Sequence, residues 1–272
     1  MKNKTGYLAT LYLLFLALLL TSGMLSGVLS EVVYIVAFLL PSAMGVSLAY
    51  REKKNISDTL HLPNRENISL FVPVIFPSIS LVLFISILTS VIMRFLFGVT
   101  SGVELDNNIF TAIIMHALVP ALLEEMLFRY LPLCLYEKGD GRSLVVISAL
   151  FFALVHNDFF VIPYAFIAGV IFMTVDLVCE SVWPSVVLHF LNNLLSVLLI
   201  FYSGNCTFIY LFYGILILLS AISLAFIAGK GKLYKEKVQS ALSGEKARPT
   251  KEFLYLAVPT LILAVSDLVS KI

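Results

Sequence analysis

A chain of 272 residues that is 60% hydrophobic and 13% charged, with a mean hydropathy of +1.00, lies outside the range of soluble domains, in which about a quarter of residues are charged. Eighteen Lys and Arg against seventeen Asp and Glu leave a formal net charge of +1, so no global field argues for nucleic acid or an acidic substrate. The three cysteines are an odd number, with Cys134 and Cys179 in or beside apolar segments, which argues for reduced thiols rather than a disulfide framework.

The sequence predicts an all-α, polytopic transmembrane bundle of about eight or nine segments. Its start, MKNKTGYLATLYLLFLALLLTSG, pairs a basic end with an apolar run longer than a signal-peptide core and shows no A-x-A-like cleavage site, so it reads as an uncleaved first span. Further apolar stretches lie at 32–50, 70–97, 109–136, 159–177, 183–201, 207–229 and 253–270, after the first at 7–28. A run at 143–156 is too short to cross with certainty. Polar connections occupy 51–69 and 230–252. The organisation is therefore N-terminal spans (1–108), a core (109–201) that holds the membrane-depth polar residues, and C-terminal spans (202–272).

Basic residues alternate between the connections as nine crossings require. With the N-terminus cytoplasmic, the inside connections 51–69, 137–142, 179–181 and 230–251 carry four, two, zero and seven Lys or Arg, while those near 29–31, 98–108, 157–158 and 202–206 carry none, with Arg94 just inside an outer span end and Lys271 at the outside C-terminus. The expected location is a plasma membrane, as a multi-pass protein.

Against this background the stretch ALLEEMLFRY, residues 121–130, puts Glu124, Glu125 and Arg129 at membrane depth. Three unpaired charges there would cost roughly 8–10 kcal/mol on an insertion scale. Glu125 and Arg129 stand four apart and can pair on one helical face; Glu124 points about 100° away and has no partner in its own helix. Two later segments repeat the four-residue spacing: Phe152 with His156, and His189 with Asn193. Counted from the ends of their spans, Glu124, His156, His189 and Asn193 can all meet between one leaflet and the midplane. Other polar residues read as structural: Asp158 and Asp176 as interfacial, Asp267 as an ion-pair partner of Lys271, and His116 as packing in a helix kinked by Pro120.

This set supports hydrolysis. Glu124 can act as general base on a water oriented by His156, and His189 with Asn193 offers two donors for an oxyanion, each such donor typically worth about 2.7–4 kcal/mol in the transition state. Glu124, His156 and His189 also match a His₂Glu zinc set. With no H-E-x-x-H signature, and with Asn193 better suited to donate than to ligate, no cofactor is preferred and zinc is the alternative.

The three patterns E-E-x-x-x-R (Glu124, Glu125, Arg129), F-x-x-x-H (Phe152, His156) and H-x-x-x-N (His189, Asn193), in this order on separate apolar segments, resemble the motifs of the CAAX protease and bacteriocin-processing (CPBP, or Abi) family. The resemblance covers about 110–200. It implies an intramembrane endopeptidase acting on a peptide or membrane-associated protein, with Glu124 as base, His156 as its partner, His189 and Asn193 as the oxyanion site, and Glu125, Arg129 and Phe152 in support. It also implies a role in peptide maturation or bacteriocin self-immunity. Two readings from other classes stand beside it: a proton-coupled transporter, which would show inverted repeats or broken helices, and a non-catalytic immunity protein.

Overall fold

The computed structural model describes residues 4–51, 60–99, 105, 108–135, 141–156 and 158–243, with 262, 265, 266 and 269 beyond them. All regular structure among these residues is helical. In chain order the helices are α1 (Lys4–Gly23), α2 (Val28–Arg51), α3 (Arg65–Phe97), α4 (Ile109–Cys134), α5 (Gly141–Leu154), α6 (Ile162–Cys179), α7 (Trp183–Phe201), α8 (Cys206–Gly229) and α9 (Gly231–Ala241). Of these, α2, α3, α4, α6, α7 and α8 are long and apolar enough to cross a bilayer, so the protein is a multi-pass helical bundle. Apart from residues 262, 265, 266 and 269, the expected span at 253–270 lies outside the described residues, as does the Asp267–Lys271 pair.

Several boundaries move for identifiable reasons. Asn64 caps α3, its side-chain oxygen accepting from the Asn67 backbone N–H at 2.8 Å, so the helix begins at Arg65 rather than 70. Asn108 and Asn205 cap α4 and α8 in the same way. At its other end α3 stops at Gly98, whose φ of 69° is the left-handed conformation that glycine adopts at no steric cost. The 230–252 connection contains the amphipathic helix α9, which a reading for long apolar runs passes over.

The short apolar run is α5, of 14 residues. At 1.5 Å per residue it rises only about 21 Å, less than the ~30 Å hydrocarbon core, so α5 alone is too short to cross it. Helix α6 is the centre of the arrangement, packing against α3, α5, α7 and α9. Gly169 makes the α5–α6 contact possible: a Cβ there would lie 2.7 Å from the Ala149 Cα. This glycine sits in an unbroken helix, and Pro163 occupies its first turn, where a missing N–H costs nothing, so neither breaks α6.

A second adjustment concerns Asp176. It lies near the end of α6 as expected, but faces the protein interior, 1% exposed, and its Oδ1 accepts the Ser185 backbone N–H at 2.9 Å, tying α6 to the first turn of α7. The turn between them places Glu180 at φ 54° while the Glu180 and Ser181 backbone N–H groups return to the Asp176 carbonyl. Ser181 Oγ donates to the His61 carbonyl and Trp183 Nε1 to that of Leu60, anchoring the segment before α3 to this turn.

Candidate active site

The candidate site forms where α4, α6 and α7 meet the end of α5. Helix α4 is not a uniform α-helix: π-helical turns at Ile114–Leu118 and Met126–Tyr130 flank the α-helical Val119–Glu125, and such turns, rare elsewhere, recur at functional sites. A π turn ends two residues before Pro120, the position at which a bend is expected. The two glutamates sit at the junction with the second.

Glu125 and Arg129 are both fully buried, with Glu125 Oε2 and Arg129 Nε 3.1 Å apart. The contact is an ion pair without hydrogen-bond alignment, since these atoms have no hydrogen-bond partner among the described residues. The guanidinium is also held by aromatic faces, its Cζ lying 4.2 Å from the centre of the Phe152 ring and 5.3 Å from that of Phe172. The ion pair expected from sequence spacing is present, and its environment explains how an arginine can be wholly buried.

Glu125 has a further partner that spacing along one helix does not reveal. Its Oε1 accepts a 2.8 Å hydrogen bond from His189 Nδ1 on α7. Because a carboxylate only accepts, Nδ1 carries the proton and the opposite nitrogen, Nε2, faces away from Glu125. That Nε2 lies 3.9 Å from Glu124 Oε2.

His156 approaches the same oxygen from the other side. It lies in a turn just beyond α5, and its Nδ1 is 2.7 Å from the Phe152 carbonyl four residues back. The carbonyl accepts, so this bond both satisfies a group left open by the helix end and fixes the ring with Nε2 outward. His156 Nε2 lies 4.0 Å from Glu124 Oε2. The expected i, i+4 relation with Phe152 holds, but through a terminating turn rather than a continuing helix.

Phe152 is the packing hub. Its ring meets His156 edge-on at 5.1 Å and His189 edge-on at 5.5 Å while supporting Arg129 on its face. Access is graded: the His156 side chain is 28% exposed, Glu124 13% and His189 6%. Asn193 lies one turn beyond His189 and is half-buried; its Oδ1 accepts from Asn192 Nδ2 at 3.4 Å, and its own NH₂ donates to no partner among the described residues. His116 is exposed on α4 and does not join the enclosed group.

Structure therefore brings Glu124, His156 and His189 together, with Glu125, Arg129 and Phe152 behind them. It adds residues that the sequence reading did not assign to the site: Phe172, which packs on His189 and Arg129; Asp176, close enough to Glu125 and Arg129 to interact with both; and Tyr34 and Tyr164, which sit within the field of Glu124. Their only sequence signal was a polar or aromatic group in an apolar span.

Residues 106–195 match the family model described as Type II CAAX prenyl endopeptidase Rce1-like. This segment is similar to the CAAX protease family. The match spans about a third of the chain and contains all three motifs, from Glu124 to Asn193. No curated protein and no solved structure matches. The matching description is that of a CAAX-type endopeptidase, and the six span-length helices among the described residues are in keeping with a membrane setting.

Proposed function

We propose that this protein is an intramembrane endopeptidase that cleaves a peptide bond with water activated by Glu124. The observation that carries the reading is the placement of Glu124 Oε2 3.9 and 4.0 Å from two imidazole Nε2 atoms whose Nδ1 positions are both engaged elsewhere. A water hydrogen-bonded to Glu124 and to His156 Nε2 at ordinary distances would subtend roughly 90° between them, which one water's two protons can satisfy. Its remaining lone pairs then point away from both, toward a carbonyl.

The steps follow from that geometry. Glu124 takes a proton as the water oxygen bonds to the carbonyl carbon, and the carbonyl oxygen becomes an oxyanion. Asn193 NH₂ and His189 Nε2–H are the donors assigned to it. Since His189 Nδ1 is committed to Glu125, this role requires the ring to be protonated on both nitrogens. When the carbon–nitrogen bond breaks, the proton held by Glu124 passes to the departing amine, restoring the carboxylate.

Zinc is the second reading, and one observation favours it: histidines with Nδ1 pinned by a carboxylate and a carbonyl are how proteins orient metal-ligating imidazoles. The separations do not fit. Two ligands about 2.0–2.1 Å from a tetrahedral zinc lie roughly 3.3–3.4 Å apart, well short of the 3.9 and 4.0 Å found here. Metal-free hydrolysis therefore remains the proposed mechanism.

The proposed setting is a plasma membrane with the N-terminus and α9 on the cytoplasmic side, and the proposed role is peptide maturation or self-immunity. Comparing membrane peptides of cells that carry the wild type and Glu124→Ala tests this directly. A peptide whose trimmed form appears only with the wild type supports it. Identical peptide sets, or solute flux in sealed vesicles that depends on Glu124, would replace it with the immunity-protein or transporter reading.

A further inference from the structure

We propose that a groove on the far side of α6 from Glu124 binds one acyl chain of an anionic phospholipid, with the headgroup at the basic helix α9. The groove has a volume of about 390 Å³ and runs between α3 and α6 under α9. Its walls are apolar along α3 from Leu70 to Leu81 and along α6 from Val170 to Cys179. At 1.5 Å per residue each wall is roughly 15 Å long, half of the ~30 Å hydrocarbon core and so the depth of one leaflet. Water has too few polar partners to fill such a space. The rim is open at the Leu81 end, that side chain being 45% exposed.

Helix α9 closes the other end and supplies the charge. Tyr234 Oη donates to the Leu70 carbonyl at 2.8 Å, burial raising its phenol above the ordinary tyrosine range, and Val238 completes the wall. Lys237 is 3.0 Å from Glu66. Lys230, Lys232, Lys235 and Arg65 are exposed around this end, against the carboxylates Glu66, Glu180 and Glu236. Of those, Glu66 is held by Lys237 and Glu236 lies 4.0 Å from Lys232, so cationic charge is in excess where a phosphate would sit.

The groove is separate from the chemistry. On α6 it is lined by Val170, Ile171, Thr174, Val175, Val178 and Cys179, whereas Phe172 and Asp176 face the Glu125–Arg129–His189 cluster. None of Glu124, His156, His189 and Asn193 lines the groove. This placement suits a resident lipid and not the reacting part of a substrate.

The test uses the full-length protein in phosphatidylcholine vesicles containing a trace of phosphatidylglycerol with a photoactivatable acyl chain, the same probe on phosphatidylcholine serving as comparison. Adducts concentrated within 70–81 and 170–179, and stronger with phosphatidylglycerol, are expected. Val178→Trp should lower groove labelling about tenfold while leaving lipid-facing Phe84 and Phe95 labelled as before, which also reports correct insertion. Lys232→Glu with Lys235→Glu should bring phosphatidylglycerol labelling down to the phosphatidylcholine level. Labelling of the groove no stronger than that of the outer face of α3, or equal labelling by the two lipids, would overturn the proposal. So would displacement of the probe by a lipidated peptide, which would make the groove a substrate site. If Val178→Trp fails to insert, the wild-type adduct map still decides.

Discussion

Glu125 Oε1 and His189 Nδ1 lie 2.8 Å apart, joining the middle of α4 to α7, and this bond separates the roles of two adjacent glutamates. Glu125 is fully buried, pairs with Arg129 behind it and holds His189 in front. Glu124 is partly exposed and faces two imidazole nitrogens without hydrogen-bonding either. The proposed mechanism assigns a structural role to the first and the reaction to the second.

The two should fail differently. Glu124→Gln keeps shape and removes the base, so kcat should fall by about 10²–10⁴ with little change in thermal stability. Glu125→Gln leaves a buried arginine without its counter-charge, a change that typically costs about 3–5 kcal/mol. Melting curves beside turnover measurements check the pair; equal stability losses would show that the glutamates are interchangeable.

His189 is assigned two tasks, donating from Nδ1 to Glu125 and from Nε2 to the proposed oxyanion. His189→Ala should lower kcat by about 10²–10³, the usual loss for one oxyanion donor, and should also lower the melting temperature because Glu125 loses its hydrogen bond. Unchanged turnover by the folded variant would exclude His189 as a donor.

Gly169 tests the dependence of the site on helix packing. A methyl group at this position meets the Ala149 backbone at 2.7 Å, so Gly169→Ala should cost about 1–3 kcal/mol by overpacking. Because α5 carries Phe152 and leads into His156, activity should fall further than stability predicts. Unchanged melting and turnover would mean that the α5–α6 approach has slack.

Asp176→Asn retains a side-chain acceptor for the Ser185 N–H and removes one carboxyl from the neighbourhood of Glu125 and Arg129. Modest change in melting is expected, while Asp176→Leu, which leaves that buried N–H without its acceptor, should cost about 1–3 kcal/mol. Similar melting of the two variants would show that the hydrogen bond does not secure the α6–α7 turn.

Zinc content offers a further check. Purified active protein should hold no stoichiometric zinc and should keep its activity in chelator, as the wide Glu124–His spacing leads one to expect. Stoichiometric metal whose removal abolishes turnover would require these three side chains to close by about 0.6 Å around it.

Much of this arrangement was legible because charges in apolar segments need partners. Four-residue spacing identified the Glu125–Arg129 pair, and the count of depth from span ends put Glu124, His156 and His189 at one level. Partners chosen across helices leave no such trace: nothing in the order of residues links Glu125 to His189 or Asp176 to Ser185. Helix α9 was hidden for a different reason, since reading for long apolar runs discards an amphipathic helix as a polar connection. His156 was placed correctly but for the wrong local structure, because a terminating turn keeps the i, i+4 relation that defines a helix face.

The central claim, that Glu124 is the base, is tested most directly by the cleavage of a peptide library by reconstituted protein, wild type against Glu124→Gln, with correct folding verified by melting. The account predicts cleavage by the wild type and none above background by the folded variant. Cleavage by Glu124→Gln at the wild-type rate would contradict it.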